Sequence, residues 1–244
     1  MTLNENERAR YQRQMLISGW GEEGQQKLRS STVFVAGAGG LGCPVSVFLA
    51  VAGIGTIRIC DNGLVEHSNL NRQILYNDRN VGKKKVYAAG DALMALNPHV
   101  AIEPLEQRIT EQTAADLVGN STIIVDCLDN FTARHVLNRF AVNNGIPLVH
   151  AAIEGLAGQM TFIQTPDTPC LHCIFPGIIA SKEPFPVAGA TPGIVGSLSA
   201  LEAIKWLTGI GNTLKGRLLM WDGKTMDWET IAIQKDPQCP VCAG

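Results

Sequence analysis

The stretch from Val33 to Pro44, VFVAGAGGLGCP, constrains the fold of this 244-residue chain more than any other part of the sequence. An apolar run of strand length ends in glycines with the spacing Gly37-x-Gly39-x-x-Gly42, and an apolar segment of helical length follows. Glycines in this spacing allow a tight turn and a close approach of the backbone to a phosphate at the helix N-terminus. The stretch therefore predicts a strand, a phosphate-binding turn and a helix, in that order.

The rest of the chain predicts an α/β fold. Thr56 to Asp61, TIRICD, predicts a second strand, and short apolar strands then alternate with helices as far as STIIVDCLDN, a pattern typical of a parallel sheet covered on both faces. After Pro147, PLVHAAI and GQMTFIQTP follow each other without a helix, which predicts antiparallel strands. We expect a Rossmann-like doubly wound sheet whose parallel N-terminal part is extended by antiparallel strands. Two short helices are predicted between Asn6 and Arg29, and a longer one at Gly193 to Gly209.

Composition excludes several classes of partner. A net charge of −2 and a pI near 6.2 offer no broad attraction to nucleic acid or to an anionic membrane. The N-terminus lacks the basic start and apolar stretch of a secretory signal, and the longest apolar stretch, Cys43 to Ile57, is shorter than the ~20 residues that span a bilayer. We expect a cytoplasmic protein that binds neither nucleic acid nor membrane.

Four of the seven cysteines form two C-x-x-C pairs, Cys170 with Cys173 and Cys239 with Cys242. Two such pairs predict a structural zinc ion held by four thiolates, and a thioredoxin-like redox pair is the main alternative. With the shell complete, we expect His172 to be a bystander. For the other cysteines and for three histidines we expect ordinary packed or surface positions: Cys43, Cys60, Cys127, His67, His135 and His150.

The residues after the second strand distinguish between kinds of nucleotide. Asp61 lies where an acid commonly accepts hydrogen bonds from a ribose. The following segment, DNGLVEHSNLNRQILYNDRNVGKKK, adds cationic groups for which a redox dinucleotide has no obvious use. Arg72 and one lysine of Lys83 to Lys85 would neutralise a triphosphate during its cleavage. By themselves the three lysines are also typical of a solvated basic face.

Several motifs in one order resemble the E1-like adenylyltransferases, the superfamily of MoeB, ThiF and HesA. They are GAGGLG, SNLNRQ, the lysine thirteen residues after Arg72, and DCLDNFTAR, and the similarity runs from Tyr11 in YQRQ to the final cysteine pair. The resemblance implies that ATP and Mg²⁺ activate the terminal carboxylate of a small ubiquitin-like sulfur carrier protein ending in Gly-Gly. The products would be an acyl-adenylate and pyrophosphate. The family also carries zinc at the positions of the two cysteine pairs.

The resemblance further implies site residues and a domain organisation. The implied nucleotide contacts are Gly40, Asp61, Ser68, Asn69, Leu70, Asn71, Arg72, Lys85, Asp129 and Asn130, and the glycine spacing itself adds Gly37, Gly39 and Gly42. The expected catalytic residues are Arg72, Lys85, Asp129 as the Mg²⁺ ligand, and Arg13, which matches an arginine that this family supplies to the neighbouring subunit, so a homodimer is implied. We treat residues 1–244 as one domain with a helical N-terminal arm (1–30), a nucleotide-binding part (31–150) and a carrier-binding, zinc-bearing part (151–244).

The implied reaction needs no general base, because a terminal carboxyl group with a pKa of about 3.3–3.7 is already ionised at neutral pH. The site must instead bring two anions together and support the leaving group, which suits Arg, Lys, Asn and a metal-binding Asp. For Asp129 an alternative is an N-cap of the helix that begins near Phe131, and the two roles can coexist. We prefer Asp129 to Asp126 as the metal ligand only because the family pattern places that acid directly before Asn130.

The chain departs from part of the family, in which an additional cysteine bonds to the activated carrier. No cysteine occurs between Cys173 and Cys239, and Phe185 stands at about the expected place. We therefore expect the enzyme to stop at the acyl-adenylate and a separate donor to supply sulfur.

Three alternative functions stay open at this stage. The glycine loop and Asp61 also allow an NAD-dependent oxidoreductase, which leaves Arg72, Lys85 and the zinc site without explanation. The second alternative is a docking module that binds a carrier without activating it. The third is an enzyme that activates a carboxylate on modified tRNA, against which the lack of an extended basic surface argues. Which carrier is used, and whether its pathway makes molybdopterin, thiamine or another sulfur compound, is open.

Overall fold

The computed structural model describes residues 3–177 and 186–243. The strands are β1 Thr32–Ala36, β2 Thr56–Cys60, β3 Ala101–Leu105, β4 Ile123–Asp126, β5 Leu148–Glu154, β6 Ala157–Ile163, β7 Arg217–Asp222 and β8 Asp227–Ala232. The helices are α1 Glu5–Met15, α2 Gly21–Arg29, α3 Gly42–Ala52, α4 Lys85–Leu96, α5 Ala114–Val118, α6 Phe131–Asn144, α7 Leu171–Ile174 and α8 Ala190–Thr208.

The strands form a single sheet with the order β3-β2-β1-β4-β5-β6-β7-β8. The first five strands of the chain are parallel, with Val33 opposite both Ile57 and Ile123, and the pairs from β5 to β8 are antiparallel. The predicted α/β fold is therefore confirmed, including its antiparallel extension. The chain crosses from β3 to β4 on the other side of β1, so a crevice opens at the carboxyl ends of β1 and β4, where α/β sheets bind ligands.

The sheet is buried on both faces in its parallel part, because alternate residues of each strand point to opposite sides. Val33 and Val35 of β1 pack into one apolar cluster together with α3 and α8. Phe34 belongs to a second cluster, which also contains Leu137 of α6 and three of the four paired cysteines. The cysteine pairs are thus part of the core on the α6 side of the sheet.

The two N-terminal helices pack at the end of α3 that is remote from the crevice. The Tyr11 hydroxyl accepts a hydrogen bond from Asn97 Nδ2 (2.8 Å), and Gln14 Nε2 donates to the carbonyl of Ala52, the last residue of α3 (2.8 Å). Within the described residues, we find no helix with both the length and the apolar character needed to cross a membrane.

Candidate functional site

The glycine loop joins β1 to α3 at the crevice. Gly37 has a φ of 101°, and a Cβ built on it would lie 2.8 Å from the Cys127 carbonyl oxygen. A Cβ on Gly42 would lie only 1.9 Å from the Gly37 carbonyl oxygen, so the first turn of α3 packs directly on the loop. Both positions therefore require glycine. The resulting turn presents the N-terminus of α3, with its unpaired N–H groups and positive partial charge, to the crevice.

Asp61, which directly follows β2, ties two backbone segments together. Its carboxylate accepts hydrogen bonds from the N–H of Ala38 in the glycine loop (2.9 Å) and from the N–H of Gly63 (2.7 Å). These two bonds leave acceptor capacity on both oxygens, because an ionised carboxylate has about four acceptor positions. Asp61 is therefore able to fix the loop and to accept a further hydroxyl.

Arg72 is held in place by the loop that precedes it. A short 3₁₀ turn, His67–Asn69, brings the Ser68 carbonyl within 2.9 Å of Arg72 Nη1, which also donates to Asn71 Oδ1 at 2.9 Å. Asn69 is buried and accepts from the N–H of Glu66 (3.1 Å). The half-buried guanidinium is therefore orientated before any ligand binds.

Lys85 is the first residue of α4, and its N–H donates to the Gly63 carbonyl (3.1 Å). A Cβ built on Gly63 would lie 3.0 Å from Asp61 Oδ1 and 3.6 Å from Lys85 Nζ, so these two side chains flank the Gly63 backbone. The ammonium group and the N-terminus of α4 place positive charge beside the acid of β2.

Asn130, not Asp129, caps α6. The Asn130 side chain accepts from the N–H of Ala133 at 2.9 Å, so the alternative that Asp129 is the N-cap is wrong. Asp129 is exposed, and its side chain contacts Asn130 Nδ2 at 3.4 Å. In the described part of the chain no lysine, arginine or histidine forms an ion pair with Asp129. A free carboxylate of this kind suits a hard cation such as Mg²⁺.

These segments enclose a cavity of about 1150 Å³. Eight of the predicted residues line it: Gly37, Gly39, Gly40, Asp61, Arg72, Lys85, Asp129 and Asn130. The others do not: Gly42 lies beneath the loop, Ser68 to Asn71 stand behind Arg72, and Arg13 is on α1. Beyond the parallel strands the cavity continues over β5, β6 and β7, along Ile153, Gly158, Met220 and Trp221.

Sequence reasoning missed several polar residues of the cavity wall, among them Gln73, Arg108 and Arg134. Arg134 lies one helical turn from the cap Asn130 and within the DCLDNFTAR motif, so its spacing was a usable signal. Gln73 is buried and Oε1 has no hydrogen-bond partner among the described residues, a position that suits a ligand contact. Arg108 follows β3 and had no recognisable pattern.

The four paired cysteines come together as predicted. Their sulfurs lie within 4.8 Å of one another, with Cys170 to Cys239 at 3.7 Å and Cys173 to Cys242 at 3.4 Å. A zinc ion bound to four sulfurs at about 2.3 Å requires sulfurs about 3.8 Å apart, so the cluster fits a tetrahedral ion. His172 is not part of the cluster, and its ring contacts His135, with centroids 5.8 Å apart.

Asn138 of α6 holds the segment of the first cysteine pair in place, since its Oδ1 accepts from the N–H of Leu171 at 2.8 Å. The cysteines outside the pairs, Cys43, Cys60 and Cys127, are buried free thiols. Burial raises the pKa of Cys43 and of Cys60 to about 12, which keeps these thiols protonated at neutral pH. Phe185 lies outside the described residues.

Residues 11–241 match the ThiF family. The SAMP-activating enzyme E1 of Haloferax volcanii is 40% identical over 247 residues, which cover 99% of this chain and 91% of that protein. The sulfur carrier protein adenylyltransferase of Thermus thermophilus is 39% identical over 252 residues, covering 99% and 93%. Among solved structures, Escherichia coli MccB with MccA-N7isoASN has a TM-score of 0.89 at 23% identity, covering 99% of this chain and 76% of that one. This last likeness concerns the fold alone.

Proposed function

The chain belongs to the ThiF family of E1-like proteins, and we propose that it adenylylates the C-terminal carboxylate of a small ubiquitin-like sulfur carrier protein. ATP is the second substrate, and the products are the acyl-adenylate and pyrophosphate. The names of the two relatives, a SAMP-activating enzyme E1 and a sulfur carrier protein adenylyltransferase, support this assignment.

The shape of the cavity carries the proposal. One end holds the glycine loop with Arg72 and Lys85, and the other continues across the antiparallel strands past Gly158 and Trp221. A nucleoside triphosphate fits the first end, where helix N-termini and cationic side chains meet its phosphates. An extended tail that ends in Gly-Gly would lie along the second end, over the antiparallel strands. The tail carboxylate then reaches the α-phosphate between the two ends.

The residues of the site act by binding and orientation. Asp61 accepts from the ribose hydroxyls while it keeps hold of the glycine loop. Arg72, already fixed by Ser68 and Asn71, and Lys85 offset the negative charge that two approaching anions bring together. The nucleophile is ionised, so no side chain has to remove a proton.

Asp129 would hold Mg²⁺, with phosphate oxygens and water as the other ligands. When bound, the ion supplies positive charge at the leaving pyrophosphate. The exposed carboxylate at the cavity wall, free of any cationic partner among the described residues, supports this assignment. The cysteine cluster would hold zinc in a purely structural role, since four thiolates leave no position for water. We assign the reaction to the cytoplasm, where thiols stay reduced.

The proposed site is completed by a second copy of the chain. Arg13 precedes Gln14, whose side chain contacts Ala52 at the end of α3 remote from the crevice. The length of α3, about 16 Å, therefore separates Arg13 from the glycine loop of its own chain. α3 has no charged residue, yet it exposes Phe48 (44%) and Val51. Beside it, α8 exposes Leu201. An uncharged, partly exposed helix face suits a partner subunit, and a two-fold dimer would carry Arg13 to the neighbouring cavity.

Mixing two inactive variants tests the dimer. Arg13→Ala and Lys85→Ala chains, unfolded and refolded together, should regain about a quarter of the wild-type activity, since half of the dimers then contain one intact site. Each variant refolded alone is the control. If Arg13 serves its own chain, the mixture stays as inactive as the separate variants.

We propose that no covalent bond forms between enzyme and carrier and that a separate donor supplies sulfur. The chain has no cysteine between Cys173 and Cys239, and Cys60 and Cys127, which line the cavity, are buried. A raised pKa makes these thiols poor nucleophiles at neutral pH. A carrier conjugate that is stable in denaturant and released by thiol reductant would overturn this part of the proposal.

Mass spectrometry of the carrier tests the reaction itself. Purified candidate carriers are incubated with enzyme, ATP and Mg²⁺, and the intact mass of each carrier is measured before and after quenching. We expect an AMP adduct on a carrier that ends in Gly-Gly and none on the same carrier without its last glycine. Absence of the adduct on every such carrier would contradict the proposed function.

A further inference from the structure

Three buried ionisable side chains form a cluster behind the loop that carries Asp129. Asp126 ends β4 and is 1% exposed, Arg134 is the fourth residue of α6, and His150 of β5 is fully buried. None of the three was expected to act in the site. Buried charges are costly unless they are paired and hydrogen-bonded, so the contacts within such a cluster are informative.

The cluster forms hydrogen bonds to both the N–H and the carbonyl of Leu128, the residue before Asp129. Asp126 Oδ1 accepts from the N–H of Leu128 at 3.1 Å. Arg134 Nη2 donates to the carbonyl of Leu128 and, at 2.9 Å, to the carbonyl of Ala151 in β5. The loop is therefore fastened to β4, to α6 and to β5.

His150 supports the other two members. Its Nδ1 lies 2.7 Å from Asp126 Oδ2, and Arg134 Nε lies 3.5 Å from the same oxygen. Burial lowers the pKa of His150, so the ring is neutral at pH 7. Burial alone would raise the pKa of Asp126, but Arg134 and His150 hold it below its usual value, so the group is a carboxylate. Nδ1 must then carry the proton and donate it, a tautomer that follows from the acceptor.

Asp129 depends on this support because its own side chain has little. The contact with Asn130 Nδ2 is long, at 3.4 Å, and the carboxylate is exposed. Its direction is set by the backbone on either side: by Leu128 in the grip of the cluster, and by Asn130 as the cap of α6. A shift of the carboxylate by 1 Å can cost about 100-fold in rate where a reaction depends on positioning.

We propose that His150 is a positioning residue for the reaction: through Asp126 it fixes Arg134 and Leu128, and so keeps the Asp129 carboxylate directed into the cavity. The consequence for catalysis rests on the proposed function. His150 itself does not line the cavity and touches no substrate.

Two substitutions and a matched control test the role of His150. His150→Leu removes the donor to Asp126, whereas His150→Asn places an amide N–H near the position of Nδ1. Leu148→Ala disturbs the same strand, within the apolar cluster on the α6 side of the sheet, without touching Asp126. The measurements are the Kd of MgATP without carrier, the Mg²⁺ concentration for half-maximal activity, kcat and KM for carrier, zinc content and Tm.

We expect His150→Leu to weaken MgATP binding and to raise the half-maximal Mg²⁺ concentration about tenfold, with zinc content and the KM for carrier unchanged. His150→Asn should recover to within about threefold of the wild type, and Leu148→Ala should lower Tm alone. His150→Leu behaving like Leu148→Ala would overturn the inference. So would an equal loss in His150→Asn and His150→Leu. The ring of His150 packs against Phe175, with centroids 5.7 Å apart, and loss of that packing would then explain both results.

The wild-type protein separates this inference from the proposed function. Wild type that binds no MgATP and adenylylates no carrier contradicts the proposed function. Wild type that does both, with His150→Leu unchanged in MgATP and Mg²⁺ dependence, contradicts only the role of His150.

Discussion

The cavity and the cysteine cluster are built on the same sheet, but one is open to ligands and the other is closed around a single position. The cavity gathers exposed or partly exposed charged side chains from the segments that follow β2, β3 and β4, and it is open for ligands that enter and leave. The cluster gathers four sulfurs within 4.8 Å, three of the four cysteines being buried, so a bound ion would have a complete shell. The charged groups of the cavity, such as Arg72 and Asp61, are orientated by hydrogen bonds from one side and keep further hydrogen-bonding capacity for a ligand. The four cysteine sulfurs, in contrast, lie next to one another and would bind only a structural ion.

The largest difference between the cavity and the cysteine cluster is expected when a cationic side chain of the cavity is removed. Lys85→Ala or Arg72→Ala should lower kcat/KM by about 100-fold to 1000-fold, because each removes charge stabilisation in the transition state. Tm should stay within a degree or two, since neither side chain belongs to the core. Lys83→Ala, an exposed lysine outside the cavity, is the matched control and should leave both values unchanged. Equal losses in all three variants would show that a diffuse basic face, not the site, matters.

The cysteine cluster should show the reverse pattern. Cys242→Ser should lower the zinc content measured by atomic absorption and cost roughly 3 kcal/mol, because bound metal contributes folding energy. That corresponds to a fall in Tm of about 6–12 °C for a chain of this size. Activity well below Tm should remain within a few-fold of the wild type. Full loss of activity in a protein that is still folded would mean that the cluster takes part in the reaction.

Much of this contrast was predictable from the sequence. The cysteine cluster was predictable because two short sequence spacings suffice to define a tetrahedral shell, which is formed by Cys170, Cys173, Cys239 and Cys242. The strand β1 and its glycine loop were also predictable, because their pattern lies within one short stretch of sequence. Gly37, Asp61, Lys85 and Asp129 come from four segments, so their meeting in one cavity followed only from the order of several motifs. Arg134 was overlooked although its spacing from Asn130 was a usable signal. The roles of Arg108, Gln73, Asp126 and His150 were missed because their contacts depend on tertiary packing that no local spacing encodes.

Acid should weaken the packing behind the cavity by a measurable amount. His150 has a lowered pKa in the folded protein, so below about pH 6.5 the unfolded chain binds a proton that the folded one refuses. The free energy of unfolding should therefore fall as pH drops below 6.5, by up to about 1.4 kcal/mol per pH unit, until the folded pKa is reached. Urea unfolding at several pH values from 7.5 to 5 gives the free energy of unfolding at each pH. This free energy should change less steeply with pH in His150→Asn than in the wild type. Identical slopes would mean that His150 does not resist protonation.

The smallest effect is expected beside the cysteines. His172→Ala should retain its zinc and change the free energy of unfolding by no more than about 0.5 kcal/mol, because four sulfurs complete the shell and the histidine ring is only partly buried. Zinc content and urea unfolding check this directly. Loss of the metal would show that His172 replaces one of the cysteines as a ligand.

Carrier-dependent exchange of labelled pyrophosphate into ATP tests the assignment of the cavity most directly. The enzyme is incubated with ATP, Mg²⁺ and a candidate Gly-Gly carrier, and the same carrier lacking its last glycine serves as the control. We predict exchange with the intact carrier only, and its loss in Lys85→Ala. The account would be contradicted by two results together: no exchange with any Gly-Gly carrier, and consumption of added NADH, seen as a fall in its absorbance with time. These results would identify the glycine loop as a dinucleotide site.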